Sequence, residues 1–425
     1  MARFIIRGGK RISGTHRAPG NKNAVLPMLA ASILTDDEVV LGNIPLIEDV
    51  RTMLAVLEDL GVDVNLRGHR VTLRAAGIRK RRLNSELCRK VRSSLLFAGP
   101  MAARHGKAVL PPPGGDVIGR RRVDTHFSAL RELGISVGGG DDYSFTRRKL
   151  KGSRILLDEA SVTATENVLM ASVIAPGRTT IFNAACEPHV QDLCMMLNKM
   201  GARISGIGTN YLRIEGVEKL SGVKHRVAGD YIDAISFMAA SVVTGGELTV
   251  KGFPTDQFDV IGRPFARLGV KWSVGDGSIR FHPNCELRVR NDFGGALPKI
   301  EDGVWPAFPS DLMSIAIVLA TRALGTALFF EKMFESRMYF VDRLIEMGAR
   351  IVQCDPHRIV VAGRSSLHAT DVSSPDIRAG MALLIAALCA KGESIINNIE
   401  SIDRGYERVD SELRRLGADI RRTDS

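Results

Sequence analysis

The chain has 425 residues, with 58 Lys+Arg against 47 Asp+Glu and a formal net charge of +11. Apolar residues make up 45% and charged residues 25%, the balance of a soluble globular protein long enough for two or three domains with sizeable cores. The longest apolar run, residues 380–390, falls far short of the ~20 residues a membrane-spanning helix needs, and residues 1–7 hold no secretory core. Six cysteines, none in a C-x-x-C pair, exclude a disulfide framework, a zinc ribbon and a redox motif. The expectation is a cytoplasmic protein with no metal, no cofactor and no membrane partner. Basic runs at 79–82, 120–122 and 147–149 would suit nucleic acid, but no aromatic residues interleave with them as stacking platforms require. Most of these charges are read as solvated faces, and the remainder suit a small, multiply anionic substrate.

The elements in chain order fall into a repeat. A strand at 4–7 comes first and could return to any domain. Pro19-Gly20-Asn21-Lys22-Asn23-Ala24 then leads into a small-residue apolar helix, 26–34, followed by a strand, 38–41. Asn and Gly there are natural helix caps, but a Lys one turn into a helix start is unfavourable unless an anion shares the site. An amphipathic stretch, 50–60, ends at Leu60-Gly61-Val62-Asp63-Val64. That Leu/Met-Gly-x-x-apolar phrase recurs at Gly134, Gly201, Gly269, Gly348 and Gly417, about 70 residues apart. Each glycine is read as a left-handed helix end that leads into a strand. The apolar helix and β-branched strand also recur, at 169–182, 237–250 and 383–396. Helices without a polar face are central ones. Six units too long for a solenoid, and no G-x-G-x-x-G turn, leave two domains of three units with helices inside and sheets outside, changing over near 227–230.

Polar segments interrupt the repeats. Pro113-Gly114-Gly115-Asp116-Val117-Ile118-Gly119-Arg120-Arg121-Arg122 reads as an exposed loop in which a carboxylate among arginines could donate a proton. Phe308-Pro309-Ser310-Asp311 precedes a helix at 312–320 that Ser or Asp could cap. Glu335-Ser336-Arg337 lies between strand and helix. Asp376-Ile377-Arg378 and Asp403-Arg404-Gly405-Tyr406-Glu407-Arg408 are read as opening the last two helices. Lys22, Arg121, Arg337, Arg378 and Arg404 thus sit at equivalent helix starts, which could converge on a dianion.

At these residues the chain resembles the UDP-N-acetylglucosamine enolpyruvyl transferases, essentially from end to end. The most specific segments are 20–24, Pro113-Gly114-Gly115-x-x-Ile118-Gly119, Ser161-Val162-Thr163-Ala164-Thr165-Glu166-Asn167, 308–311 and 403–408. The resemblance implies an α/β fold of two inside-out barrel-like domains with threefold internal repeats. One lobe would comprise 1–21 with 230–425; the other, 22–229, would carry a catalytic loop near 111–121. It implies transfer of the enolpyruvyl group of phosphoenolpyruvate to the 3-hydroxyl of UDP-N-acetylglucosamine, the first committed step of peptidoglycan synthesis, with phosphate released. The alternative is a related transferase with another acceptor, a nucleotide or shikimate 3-phosphate. Lys22, Arg121, Arg378 and Arg404 would cradle the phosphate, with Arg337 on the carboxylate side. Asp311 would take the hydroxyl proton and Asn23 would hold the sugar. Arg92, Arg122, Val123, Asp124, Thr125, Ser161, Val162 and Met333 would line the nucleotide-sugar pocket, and Asp376 would join the substrate contacts. Three departures stand out. The family's loop acid is usually Cys and here is Asp116, which implies insensitivity to the epoxide fosfomycin. The usual Pro-Val-Asp-Leu reads Arg122-Val123-Asp124-Thr125, and an Arg early in the second lobe reads Tyr231.

Overall fold

A computed structural model describes residues 2–115, 122–283 and 286–423. Two compact units emerge: one takes the chain up to Pro19 and again from Gly229, and the other runs from Gly20 to Ala228. Each has its own apolar core, one around residues such as Phe4, Phe237 and Phe329, the other around Phe97, Phe145 and Met196.

In the first unit, three almost wholly buried helices pack on one another: Tyr231–Val243, Met313–Arg322 and Ile377–Cys389. Their Ala-, Ile- and Met-rich sequences have no polar face, so they lie where every side meets protein. Three separate four-stranded sheets cover them. The strand Arg3–Arg7 pairs with Glu393–Asn397 and Asp419–Thr423, so the N-terminus completes the last repeat of this unit. In the second unit the interior helices are Lys22–Ala31, Ala98–His105 and Val162–Ser172. They lie under two four-stranded sheets and one three-stranded sheet.

Every four-stranded sheet has one parallel pair and is otherwise antiparallel. In the three-stranded sheet the parallel partner shrinks to a single bridge, Arg82 with Val109. The six repeat glycines all follow amphipathic helices and have φ between 85° and 108°, a region open to Gly and costly for residues with a Cβ. At Gly201 nothing lies within 4 Å of where a Cβ would stand, so backbone conformation alone demands glycine there.

The basic runs at 79–82 and 147–149 do local work. Lys80 pairs with Asp59 at 2.7 Å and Arg82 pairs with Asp142. Arg81 and Arg147 donate to the last carbonyls of helix Ala98–His105, His105 O at 3.0 Å and Ala103 O at 2.7 Å, where a cation meets the negative end of the helix dipole. No helix among the described residues is long and apolar enough to cross a membrane.

Candidate active site

Four of the six buried helices begin with side-chain caps, from Asn21, Ser161, Asp230 and Asp376, and Lys22 and Arg378 lie in the first turns of two of them. Asp376 caps Ile377–Cys389, its Oδ1 accepting from Arg378 N (2.8 Å) and Ala379 N (3.0 Å). This places Arg378, 6% exposed, in a first helical turn, where the helix dipole disfavours a cation. Asp311 supplies the compensating charge. Its Oδ2 accepts from Arg378 Nη2 at 3.2 Å and its Oδ1 from Arg337 Nη2 at 2.9 Å. Burial alone would weaken Arg378 as a cation; Asp311, then Tyr406 and Asp230, outweigh it and hold the guanidinium firmly protonated.

A directed chain extends from this group. Arg378 Nη1 donates to Tyr406 Oη (3.4 Å), which lies 2.8 Å from Ser236 Oγ, and that hydroxyl donates to Ile232 O (2.8 Å). Burial raises the Tyr406 hydroxyl above its ordinary pKa, so it stays a neutral relay. Arg337 stacks its guanidinium on Phe334 at 5.2 Å, and its buried Nε has no hydrogen-bond partner among the described residues. The arrangement is one carboxylate oriented by two fixed cations, with donor capacity to spare. Such a group suits an anionic substrate and a proton transfer.

Several sequence expectations need correction here. Ser310 and Asp311 do not cap the following helix. Ser310–Leu312 is a 3₁₀ turn, the helix proper is Met313–Arg322, and Ser310 donates to Glu331 instead. Arg337 lies in the turn before Val341–Glu346 rather than at a helix start. Asp403 and Arg404 close a short helix, Glu400–Asp403, instead of opening the last one, which starts at Val409 after Arg408 at φ 46°. The reason is spatial: a Cβ on Gly405 would fall 2.4 Å from Ile377 Cγ2, so the chain turns closely past its neighbour there. Asp403 holds Arg422 through both oxygens (2.8 and 2.6 Å). Met333, 40% exposed, leads into the Arg337 turn.

In the second unit, Asn21 caps Lys22–Ala31 through Ala24 N, and Lys22 is the first helical residue, 7% exposed, with Asn23 half-buried beside it. The anion that Lys22 requires is present within the protein. Asp49, in the first turn of Glu48–Leu60, lies 2.7 Å from Lys22 Nζ. Sequence reasoning missed Asp49, whose only signal was an acidic first turn.

The other candidates of this unit form a second network. Arg92 opens the 3₁₀ segment Arg92–Phe97 and points Nη2 at Arg122 O (3.5 Å). Arg122 bonds Asp124 (2.9 Å), and Thr125 Oγ1 donates to Asp158 at 2.5 Å. Val123 precedes the helix Asp124–Glu132. Ser161 caps Val162–Ser172 through Ala164 N, with Val162 its first residue. Behind them, Asn167 accepts from Gly99 N (2.7 Å) and lies 3.0 Å from His126 Nδ1, while His126 Nε2 meets Thr163 Oγ1 at 3.0 Å. Burial, then Arg92, drive His126 down to about 3, so it is a neutral imidazole accepting from Asn167 and donating to Thr163. Asp116 and Arg121 lie outside the described residues. Tyr231, at a buried helix start, tilts against Trp305 with 6.4 Å between rings.

Residues 6–413 match the family described as EPSP synthase (3-phosphoshikimate 1-carboxyvinyltransferase). Proteins named UDP-N-acetylglucosamine 1-carboxyvinyltransferase are similar over the full length. That of Treponema denticola is 52% identical over 99% of both chains, and that of Borreliella burgdorferi 51% identical over all of both. Among solved structures, the enolpyruvyl transferase NikO from Streptomyces tendae superposes with a TM-score of 0.88 at 24% identity, covering 100% of this chain and 99% of that one. EPSP synthase from Acinetobacter baumannii gives 0.78 at 19%, covering all of both. The two structural matches establish the enolpyruvyl transferase fold; identity near one half along the whole of both chains establishes more, and the protein belongs to the UDP-N-acetylglucosamine 1-carboxyvinyltransferase family.

Proposed function

We propose that the chain is an enolpyruvyl transferase that moves the enolpyruvyl group of phosphoenolpyruvate onto the 3-hydroxyl of UDP-N-acetylglucosamine, releasing phosphate in an early step of peptidoglycan synthesis. The observation that carries this reading is the full-length identity of about one half to relatives bearing that activity's name. It favours this acceptor over a bare nucleotide or shikimate 3-phosphate.

The chemistry fits the residues in hand. In the addition step the sugar oxygen loses its proton to Asp311 and bonds C2 of phosphoenolpyruvate, while C3 gains a proton from Asp116. In the elimination step C3 gives up a proton, the C2–O bond to phosphate breaks, and the double bond returns. Asp311 suits the first transfer because Arg337 and Arg378 hold its carboxylate in one orientation. Arg378, Arg404, Lys22 and Arg121 stabilise the phosphate, and Arg337 the carboxylate. Asn23 and Asp376 serve the sugar, and Arg92, Arg122 to Thr125, Ser161, Val162 and Met333 the nucleotide. The reading includes a cytoplasmic location, in keeping with two small, multiply charged, membrane-impermeant substrates.

The test is phosphate release from phosphoenolpyruvate with each acceptor in turn. Turnover with UDP-N-acetylglucosamine and none with uridine monophosphate or shikimate 3-phosphate is expected; the reverse preference would overturn the acceptor assignment.

A further inference from the structure

The internal repeats contain a side-chain bond that recurs three times. After the strand Val39–Gly42, Asn43 donates its amide to Val227 O (2.9 Å), the residue just past the parallel neighbour Val223–Arg226. After Arg178–Phe182, Asn183 does the same to Leu157 O (3.0 Å), past Arg154–Leu156. After Glu393–Asn397, Asn398 does so to Ser374 O (2.7 Å), past Asp371–Ser373. In the repeat that holds the Asp311 group, the residues at these two positions are Glu331, after Gly325–Phe330, and Asp302, after Lys299–Glu301. A carboxyl thus replaces the amide of the other repeats, and beside it a second carboxyl stands where they carry Val227, Leu157 and Ser374.

Both are fully buried. Ile300 and Phe329 face each other across the parallel pair and point into the core, and strand alternation returns the same face two residues later, at Asp302 and Glu331. Two ionised carboxylates sharing a dry site repel strongly, and the inexpensive solution is one retained proton. The hydrogen bonds agree. Asp302 Oδ1 accepts from Lys332 N at 2.5 Å, but its buried Oδ2 has no protein donor among the described residues. Burial, then Asp302, push Glu331 up to about 9, with Arg337 pulling the other way.

We infer that Glu331 stays protonated and shares that proton with Asp302, and that this pair positions Asp311 and Arg337 for the reaction. Glu331 reaches both flanks of their ion pair. Ser310 Oγ, next to Asp311, lies 2.9 and 3.0 Å from its two oxygens, and Phe334 N donates to Oε1 at 3.2 Å. Phe334 O in turn accepts from Arg337 N (3.3 Å), and the Phe334 ring carries the Arg337 guanidinium. A neutral Glu331 also leaves the Arg337 charge to Asp311; an ionised one would compete for it.

The positioning half rests on the proposed reaction, so wild-type turnover is measured first, and its absence would count against that reading alone. Protonation is read without activity. The infrared difference between wild type and Glu331→Gln at neutral pH should contain the C=O stretch of one protonated carboxylic acid, and its absence overturns the shared proton. In turnover, Glu331→Gln presents an amide donor to Asp302 and a carbonyl to Ser310 and Phe334 N. It should retain kcat within about threefold, the scale of exchanging one neutral hydrogen bond for another. Glu331→Ala should lose on the order of 10²-fold in kcat with a smaller change in KM, as misplaced groups do. If Glu331→Ala fails to fold, Glu331→Gln decides alone: a folded amide variant that lost on the order of 10²-fold would overturn the positioning role.

Discussion

In the family that the sequence resembles the loop acid is usually Cys, and the resemblance puts Asp116 at that position. A thiolate attacks epoxide carbon far more readily than a carboxylate does. The enzyme is therefore expected to turn over in the presence of fosfomycin without time-dependent loss of activity. Asp116→Cys should introduce that loss and extend activity to higher pH, since a thiol holds its proton some four units higher than an aspartic acid does. Covalent inactivation of the unaltered protein, detected by intact mass, would assign the loop acid elsewhere. Lys22 and Asp49 form the second residue-scale case. Both are buried and paired at 2.7 Å, so removing the ammonium alone deprives a buried carboxylate of its salt-bridge partner. Lys22→Ala should cost about 3 kcal/mol in urea unfolding and abolish turnover. Lys22→Ala with Asp49→Ala should regain most of the stability and none of the activity. A double variant with restored turnover would remove Lys22 from the phosphate site.

Elements are held together by a buried histidine. His16, on the strand Gly14–Arg17, places Nε2 2.6 Å from Asp233 in helix Tyr231–Val243 and Nδ1 2.7 Å from Glu412 in helix Val409–Arg415, and stacks on Phe237 at 3.9 Å. Burial alone would lower its pKa; Asp233 and Glu412 more than reverse this and lift it to about 9, while Glu412, against the effect of its own burial, is brought down to about 2 by Arg415 and then His16. A raised histidine contributes stability that is complete below its unfolded value of 6.5 and fades as pH climbs through about 9. A lowered carboxylate contributes above its unfolded value of 4.5 and loses that contribution as pH falls through about 2. Unfolding free energy should thus fall by roughly 3 kcal/mol between pH 6.5 and 9, and His16→Gln should flatten that slope. Equal slopes in the two proteins would mean that His16 is neutral in the fold.

At the scale of the whole molecule, two cores in one chain exceed what a single all-or-none transition describes. Calorimetry should give a total enthalpy larger than the van't Hoff value. Phe329→Ala, a fully buried site in one core, should cost about 3–5 kcal/mol and move only part of the endotherm. A single transition with matching enthalpies would show that the chain melts as one.

Much of this organisation is local and so legible in the sequence. A glycine after an amphipathic helix answers a steric requirement of the residue itself, and all six repeat glycines adopt the left-handed turn their spacing implied. Helices without a polar face must be interior wherever the chain goes, which determined the layering of helices within sheets. Caps such as Asn21, Ser161 and Asp376 bond within three residues of themselves, so they too could be read from order alone. The close passage of Gly405 by Ile377 could not, and it moved Arg404 from a helix start to a helix end. Tertiary structure alone decided the pairings: Asp49 with Lys22, Asp311 with two arginines, Tyr406 with Arg378, Ser310 with Glu331. Periodicity identifies which face of a strand or helix is buried; which charge waits there depends on contacts between residues far apart in the chain, and those exist only once the sheets have closed over the helices.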